Sequence, residues 1–154
     1  MRRMTLTLVL LLVVTGCPGA SMACPDITSA PAERQVLTGR ALWSPRVIAV
    51  QAGGDARLSR CGFPRHGYVR GPPDIALDLT RMTRYDRLHM RANAGCDTVL
   101  LLRDPAGQWF FDDDSGTGQT ASLSLPDPVD GRYLVWVGTY GPRGCAARLT
   151  LETF

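Results

Sequence analysis

The 154-residue chain contains no lysine, only two histidines and no cysteine pair spaced as C-x-x-C. All 17 of its basic side chains are therefore arginines. The missing C-x-x-C pairs argue against a zinc ribbon, and two histidines leave few bases for a catalytic triad. Beyond the N-terminus no helical period survives over ten residues, and we find no phosphate-binding glycine loop, nucleotide motif or haem motif. These absences argue against a helical bundle and against the common cofactor-binding classes.

The N-terminus has the pattern of an export signal. Arg2 and Arg3 precede an apolar run from Leu6 to Val14, and the small residues of Ser21 to Ala23 suit a signal peptidase. The apolar run is too short to span a bilayer comfortably as a permanent helix. We therefore expect a signal peptide over residues 1–23.

The mature chain is expected to begin at Cys24 and to be exported, either to the periplasm or into the medium, without a transmembrane segment. The alternative is a lipoprotein, because Val14 to Cys17 resembles a bacterial lipobox that would attach lipid to Cys17. After the cleavage site, residues 24–34 are polar and marked by proline, which predicts an exposed arm. Residues 35–154 have the length of one domain with one core.

The cysteines agree with export. An even number in a small exported domain predicts disulfides, and the four that follow the signal are Cys24, Cys61, Cys96 and Cys145. Four cysteines allow three connectivities. We favour Cys24–Cys61, which would tie down the N-terminal arm, and Cys96–Cys145, which would join the start of one strand to the last strand. A metal site is the rival interpretation, but the spacings are long and irregular.

The charge of the chain is unevenly distributed. Without the signal the net charge is +1, which is not a nucleic-acid-binding signature. Residues 33–91 carry 11 arginines and 5 acids, whereas residues 97–154 carry 4 arginines and 8 acids. A coding bias explains the use of arginine, and the split could still give the domain a basic face and an acidic end.

Strand patterns recur every 8–15 residues, separated by turn residues. They predict an all-β fold, a jelly-roll-like antiparallel β-sandwich stapled by disulfides. Val99–Leu102 and Tyr133–Val137 are apolar on both faces and should be central strands, and Thr80–Arg87 has room for one helical turn. The predicted strands are Gln35–Trp43, Arg46–Ala52, Ala56–Arg60, Pro73–Thr80, Arg87–Ala92, Asp97–Arg103, Gln108–Phe111, Thr120–Leu125, Arg132–Thr139 and Ala146–Thr153.

An acidic loop is the first candidate site. Asp112, Asp113 and Asp114 precede a segment rich in glycine, and Asp97 and Asp104 flank neighbouring strand ends. Carboxylates together with backbone carbonyls are the ligands that Ca²⁺ takes. The loop therefore predicts either a calcium site or a solvated turn that discourages edge pairing; its spacing is not that of an EF-hand.

Serine-protease chemistry is a second hypothesis, because Asp114-Ser115-Gly116 looks like a fragment of a nucleophile motif. A triad needs a base within hydrogen-bond reach of the serine. The candidates are His66, in a loop, and His89, on the polar face of a predicted strand. Neither has the sequence context of such enzymes, so we expect both to be ordinary surface residues.

Aromatic and arginine side chains provide two further candidates. Trp109 or Trp136, if exposed, would form a platform for sugar rings or peptides, while Trp43 stands apart from them. In a sandwich of this size most large aromatics are needed in the core. The arginines around Cys61 predict either an anionic-ligand patch or a solvated face; they are Arg57, Arg60, Arg65 and Arg70.

Three segments together resemble the bacterial pre-peptidase C-terminal domain: Cys96–Gly107, Asp112–Gly116 and Asp130–Gly138. That family pairs a strand and an Asp-Pro-x-Gly turn with an acidic loop and a closing strand of G-x-Y-x-V-x-V type. The resemblance covers the chain from about Pro73 to its end. It implies a non-catalytic, jelly-roll-like accessory module of exported proteins, some of which bind calcium or assist substrate and matrix binding.

From these observations we expect a non-enzymatic exported β-sandwich that acts as a binding or envelope-accessory module. Its partner would be a protein, a matrix or a glycan rather than nucleic acid, and its only cofactor would be Ca²⁺ at the acidic loop. The alternatives are a small serine peptidase that uses Ser115 and a carbohydrate-binding module.

Overall fold

The computed structural model describes residues 24–154. The predicted signal peptide, the cleavage after Ala23 and the lipid-attachment residue Cys17 lie outside the described residues. Within residues 24–154, eleven strands form two sheets that pack face to face. The predicted all-β sandwich is therefore confirmed.

The strands are numbered in chain order. They are β1 (Glu33–Thr38), β2 (Arg46–Ala52), β3 (Ala56–Arg57), β4 (Tyr68–Val69), β5 (Ile75–Thr80), β6 (Arg87–Ala94), β7 (Thr98–Arg103), β8 (Trp109–Asp112), β9 (Ala121–Pro126), β10 (Gly131–Thr139) and β11 (Cys145–Thr153). Three short 3₁₀ turns lie between them, at Gly39–Leu42, Leu58–Arg60 and Met82–Arg84. The last of these is the helical turn expected within Thr80–Arg87.

One sheet has four antiparallel strands in the order β2-β11-β6-β9. The other has seven strands built around β10, which pairs with β7 on one side and with β5 and β4 on the other. Strand β1 pairs with β5 in parallel, which differs from the expected all-antiparallel arrangement. After β1, the 3₁₀ turn Gly39–Leu42 leads to β2 in the other sheet, so β1 and β5 are not neighbours in the chain.

The main core fills the space between the sheets. Alternating strand residues supply it: Leu88, Met90 and Ala92 of β6 face inward and are fully buried, as are Leu149 and Leu151 of β11. A side-chain period of two places the polar residues between them on the outer face of the four-stranded sheet.

A second, smaller core lies on the outer face of the seven-stranded sheet. The segment 55–70 crosses that face, where Leu58 and Val69 pack with Val99, Leu101 and Trp136. This second layer explains why β7 and β10 are apolar on both faces. The two expected central strands are therefore confirmed.

Both predicted disulfides are present, Cys24–Cys61 with a Cα–Cα distance of 5.5 Å and Cys96–Cys145 with 6.5 Å. The first fastens the N-terminal arm to the segment 55–70. The arm is also held by backbone hydrogen bonds, because Asp26 N donates to Gly71 O at 2.8 Å. It is thus exposed in part but anchored along its length.

The sandwich has two ends, which we name after the ends of β10. The Thr139 end also contains Thr98 and Cys145, whereas the Gly131 end contains Thr80 and Arg103. The acidic loop lies at the Thr139 end, and the 3₁₀ turns Gly39–Leu42 and Met82–Arg84 lie at the Gly131 end.

Candidate binding sites

The acidic loop after β8 is shaped by one of its own carboxylates. Asp112 Oδ2 accepts from the backbone N–H of Ser115 at 3.0 Å and from that of Ser122 at 2.7 Å. The Ser115 hydroxyl donates to the other carboxylate oxygen of Asp112. Asp112 therefore works as a structural acceptor that folds the loop back onto β9.

Asp97 lies close to the two remaining loop carboxylates. Burial raises the pKa of Asp97, and the negative charges of Asp113 and Asp114 raise it further. The backbone carbonyl of Asp97 also accepts from Tyr140 N at 3.0 Å. The structure thus places four of the five predicted carboxylates at the Thr139 end, where Asp113 and Asp114 repel Asp97 and Asp112 is engaged in hydrogen bonds.

Asp104 is separated from them by the length of β7, because it follows Arg103 at the Gly131 end. Its Oδ1 accepts from Gln108 N at 2.7 Å and closes the turn between β7 and β8. Within residues 24–154 no group of three or more Asp, Glu, His or Cys side chains is arranged to hold a metal ion. Calcium binding at the loop stays a prediction.

Ser115 has no histidine among the hydrogen-bond partners that the described residues show, because its hydroxyl is engaged by Asp112. His66 instead packs against the ring of Tyr140, with centroids 5.8 Å apart. A different serine meets a histidine: Ser122 Oγ lies 3.2 Å from His89 Nε2 on the outer face of the four-stranded sheet. Burial lowers the pKa of His89, and Arg91 and Arg87 lower it further.

Of the two tryptophans expected to form an aromatic platform, Trp136 lies in the second core, and Trp109 packs beside it with part of its ring exposed. Trp136 is completely buried, and its Nε1 donates to Gly71 O at 3.1 Å. Trp109 is 38% exposed, and its ring packs between those of Phe63 and Trp136, at centroid distances of 5.2 and 5.3 Å. Trp136 therefore cannot present a platform to a ligand, and the second core holds most of Trp109.

The most exposed of the three tryptophans is Trp43. It follows the 3₁₀ turn Gly39–Leu42, which Thr38 caps by accepting from Ala41 N at 3.2 Å. Because Leu42 is fully buried against the core, the next side chain turns outward, and Trp43 is 67% exposed. The local signal was the change from strand alternation to the sequence Leu-Trp-Ser-Pro after a capping threonine.

Tyr85 forms the other wall of a cleft beside Trp43. The two ring centroids are 6.1 Å apart and the rings are tilted by 46°. Tyr85 sits directly over Gly39, where a Cβ atom would lie 2.3 Å from a carbon of the tyrosine ring. The glycine therefore allows the tyrosine ring to settle against the backbone, and this contact fixes one wall of the cleft.

The Trp43–Tyr85 cleft has a volume of about 430 Å³, and its polar lining is basic. Arg40, Ser44 and Arg84 complete it, and no carboxylate lies among its lining residues. Two guanidinium groups beside two aromatic rings can contact a ligand that combines an apolar face with a negative charge.

The fold and these surfaces define a class of protein, a disulfide-stapled, two-sheet β-sandwich with an exposed aromatic cleft at one end. No helix within residues 24–154 is long and apolar enough to cross a membrane. The chain is exported: residues 1–17 match the prokaryotic membrane lipoprotein lipid attachment site. The match ends at Cys17, the residue to which the alternative interpretation attaches lipid.

Among solved structures, the chain is similar to PliG from Aeromonas hydrophila, a periplasmic lysozyme inhibitor of g-type lysozyme. The two are 9% identical, with a TM-score of 0.44, over 79% of this chain and 99% of PliG. So distant a likeness carries nothing about what this chain binds. No curated protein matches the chain.

Proposed function

We propose that the chain is a non-catalytic binding module of the bacterial envelope that holds an acidic saccharide in the Trp43–Tyr85 cleft. The observation that carries this proposal is the exposed ring of Trp43, which faces a basic cleft instead of packing into a core. Burial of a tryptophan ring stabilises a small domain, and an exposed ring does not contribute this free energy. The exposure of Trp43 therefore supports a role in binding.

The chemistry of the cleft supports a sugar with a negative charge. The apolar face of a pyranose ring stacks on an aromatic side chain, and the tilted pair of Trp43 and Tyr85 offers two such faces. Arg40 and Arg84 would bind a carboxylate or sulfate on the sugar, since guanidinium groups bind such anions through paired hydrogen bonds. The hydroxyl of Ser44 is available to a ring hydroxyl.

The proposal can be tested by titrating the purified mature chain with tetragalacturonate, following tryptophan fluorescence and calorimetry. We expect saturable binding of this acidic tetrasaccharide and at least about tenfold weaker binding of uncharged maltotetraose, since a hydrogen bond to a charged group contributes roughly 1.5–3 kcal/mol. Trp43→Ala should abolish binding. Arg40→Gln with Arg84→Gln should remove the preference for the acidic sugar.

Tyr140→Ala is the matched control, because Tyr140 is 45% exposed but lies at the Thr139 end. This variant should bind as the unmodified chain does. Equal binding by the Trp43→Ala chain would place the sugar elsewhere, and binding of neither tetrasaccharide would refute the saccharide proposal.

The resemblance to the pre-peptidase C-terminal domain is also retained as part of the proposal. Its three segments are β7 with the turn after it, the acidic loop and β10. The accessory role that this family implies is compatible with a binding module that has no reaction centre of its own.

A further inference from the structure

The segment 55–70, which carries Cys61 of the Cys24–Cys61 disulfide, contains four arginines. They are Arg57, Arg60, Arg65 and Arg70; the first is half-buried and the other three are exposed. The segment forms the outer layer of the seven-stranded sheet, because the ring of Phe63 packs edge-on against Trp109 and the Arg65 guanidinium lies 5.7 Å from the ring centroid of Phe111. We name the solvent side of this layer the arginine face.

The same disulfide fixes where the N-terminal segment joins the folded domain. Cys24 is bonded to Cys61 within the arginine face, and seven residue steps separate Cys24 from Cys17. Seven steps of extended chain reach at most roughly 25 Å. An acyl group on Cys17, at the end of the lipid-attachment match, would therefore hold Cys24 and its partner Cys61 within that distance of a bilayer.

The charge of the arginine face suits an anionic membrane surface. Asp55 is the one acidic residue of the segment 55–70. Three nearby carboxylates reduce the positive charge: Asp74 lies 3.6 Å from the Arg70 guanidinium, and Asp112 and Asp113 line a small cavity with Arg65. Electrostatic attraction falls off within about 10 Å in salt, so it acts only on a face that a short tether keeps near the headgroups.

We infer that the lipid-anchored protein rests with its arginine face against anionic lipid headgroups. The lipid anchor keeps the domain near the membrane, which gives a high effective concentration of headgroups around it. The arginines then favour one orientation of the domain. The Trp43–Tyr85 cleft has no lining residue in the segment 55–70. The inference goes beyond the proposed function and holds whether or not the cleft binds a saccharide.

The test uses the full-length gene expressed in a bacterium, with the mature N-terminus identified by intact mass. The purified protein is placed in nanodiscs of phosphatidylcholine, with or without phosphatidylglycerol, and amide hydrogen exchange is compared between peptides covering 55–70 and 87–93. In anionic discs we expect exchange in 55–70 to slow by about threefold or more, as attraction of several arginines to an anionic leaflet should produce. Exchange in 87–93 should not change, and high salt should remove the protection.

The combined variant Arg57→Gln, Arg60→Gln, Arg65→Gln and Arg70→Gln should lose this protection. A control with four other arginines exchanged for glutamine should keep it; these are Arg46, Arg91, Arg143 and Arg148. Should the quadruple variant fold poorly, the salt dependence and lipid dependence of the unmodified protein decide the question. Protection that is equal in neutral discs, or a mature N-terminus at Cys24 without lipid, would overturn the inference.

Discussion

Asp74 shows how a single buried residue makes the fold sensitive to pH. Its side chain is almost wholly buried, Oδ2 accepts from Val137 N at 2.8 Å, and Arg70 lies 3.6 Å from Oδ1. Burial nevertheless dominates and raises the pKa of Asp74 to about 6. The folded state therefore favours the protonated carboxyl more strongly than the unfolded state does.

The sign of the resulting pH dependence follows from linkage. Between about pH 4 and pH 6 the folded chain holds the Asp74 proton and the unfolded chain has released it, so stability falls as the pH rises through this window. A shift from 3.8 to about 6 corresponds to roughly 3 kcal/mol at most. We predict that Asp74→Asn, which keeps an acceptor for Val137 N, removes this dependence, as urea unfolding from pH 4 to pH 8 would show. An unchanged slope would assign the dependence to other groups.

Ser115 and Ser122 allow a direct test of catalysis. Ser115 donates to a carboxylate, and Ser122 contacts His89 on an outward-facing sheet surface. A binding module without a reaction centre should form no stoichiometric adduct with a serine-reactive fluorophosphonate at either position. Mass spectrometry of the labelled protein measures this outcome, and a full adduct at either serine would support the hydrolase alternative.

At the scale of elements, the linker between β2 and β3 depends on close backbone approach. A Cβ atom on Gly54 would lie 2.3 Å from the backbone of Val69 in β4, whereas one on Gly95 would meet nothing within 4 Å. We predict that Gly54→Ala destabilises the domain by about 1–3 kcal/mol, as overpacking does. Gly95→Ala should leave the unfolding midpoint almost unchanged. Equal midpoints for the two variants would show that β4 can move away freely.

The Cys24–Cys61 disulfide joins the arm, the segment 55–70 and the second core. Replacing both cysteines with serine should lower the free energy of unfolding by about 2–4 kcal/mol. Hydrogen exchange should increase in 24–34 and 55–70 and stay slow in β6 and β11, because the main core does not depend on this bridge. Faster exchange throughout the molecule would instead show that the two cores unfold together.

At the scale of the whole molecule, the charge asymmetry of the sequence is distributed between surfaces. Asp97, Asp113 and Asp114 meet at the Thr139 end, while arginines occupy the outer layer of one sheet and the Trp43–Tyr85 cleft at the other end. The predicted combination of a basic face and an acidic end agrees with this arrangement. The acidic loop adjoins the segment 55–70, because Asp113 and Arg65 line the same cavity. The Trp43–Tyr85 cleft shares no lining residue with either, so binding there can be tested without disturbing them.

Calcium provides the test of the acidic end. A cation held by the native loop would offset the repulsion around Asp97, and a ligand that binds only the folded state raises its melting temperature. If the calcium prediction is right, millimolar calcium raises the melting temperature and a chelator reverses the change. Asp113→Asn with Asp114→Asn should abolish the response. An unchanged melting temperature in millimolar calcium would exclude the site.

The sequence by itself determined the all-β class, most of the strands and export, because alternation, turn residues and the export signal are local patterns. Counting cysteines predicted two disulfides and favoured the observed pairing among three. The predicted strands Gln35–Trp43 and Ala56–Arg60 were too long, since each gives way to a 3₁₀ turn. Strands β7 and β10 are apolar on both faces, and this pattern also indicated that a second layer covers the outer face of their sheet. The dipeptide strand Tyr68–Val69 and the parallel β1–β5 pair were not predicted. Both depend on partners distant in the chain, and two residues are too few to show a period.

Only the tertiary structure decided which side chains are available to a ligand. Trp136 and Trp43 both fall within predicted strands, yet Trp136 is buried under the segment 55–70 and Trp43 projects from a turn. Likewise, Asp97 and Asp104 both flank β7, but the strand between them places one at each end of the sandwich. Burial and proximity are properties of packing between remote segments, which local sequence patterns do not encode.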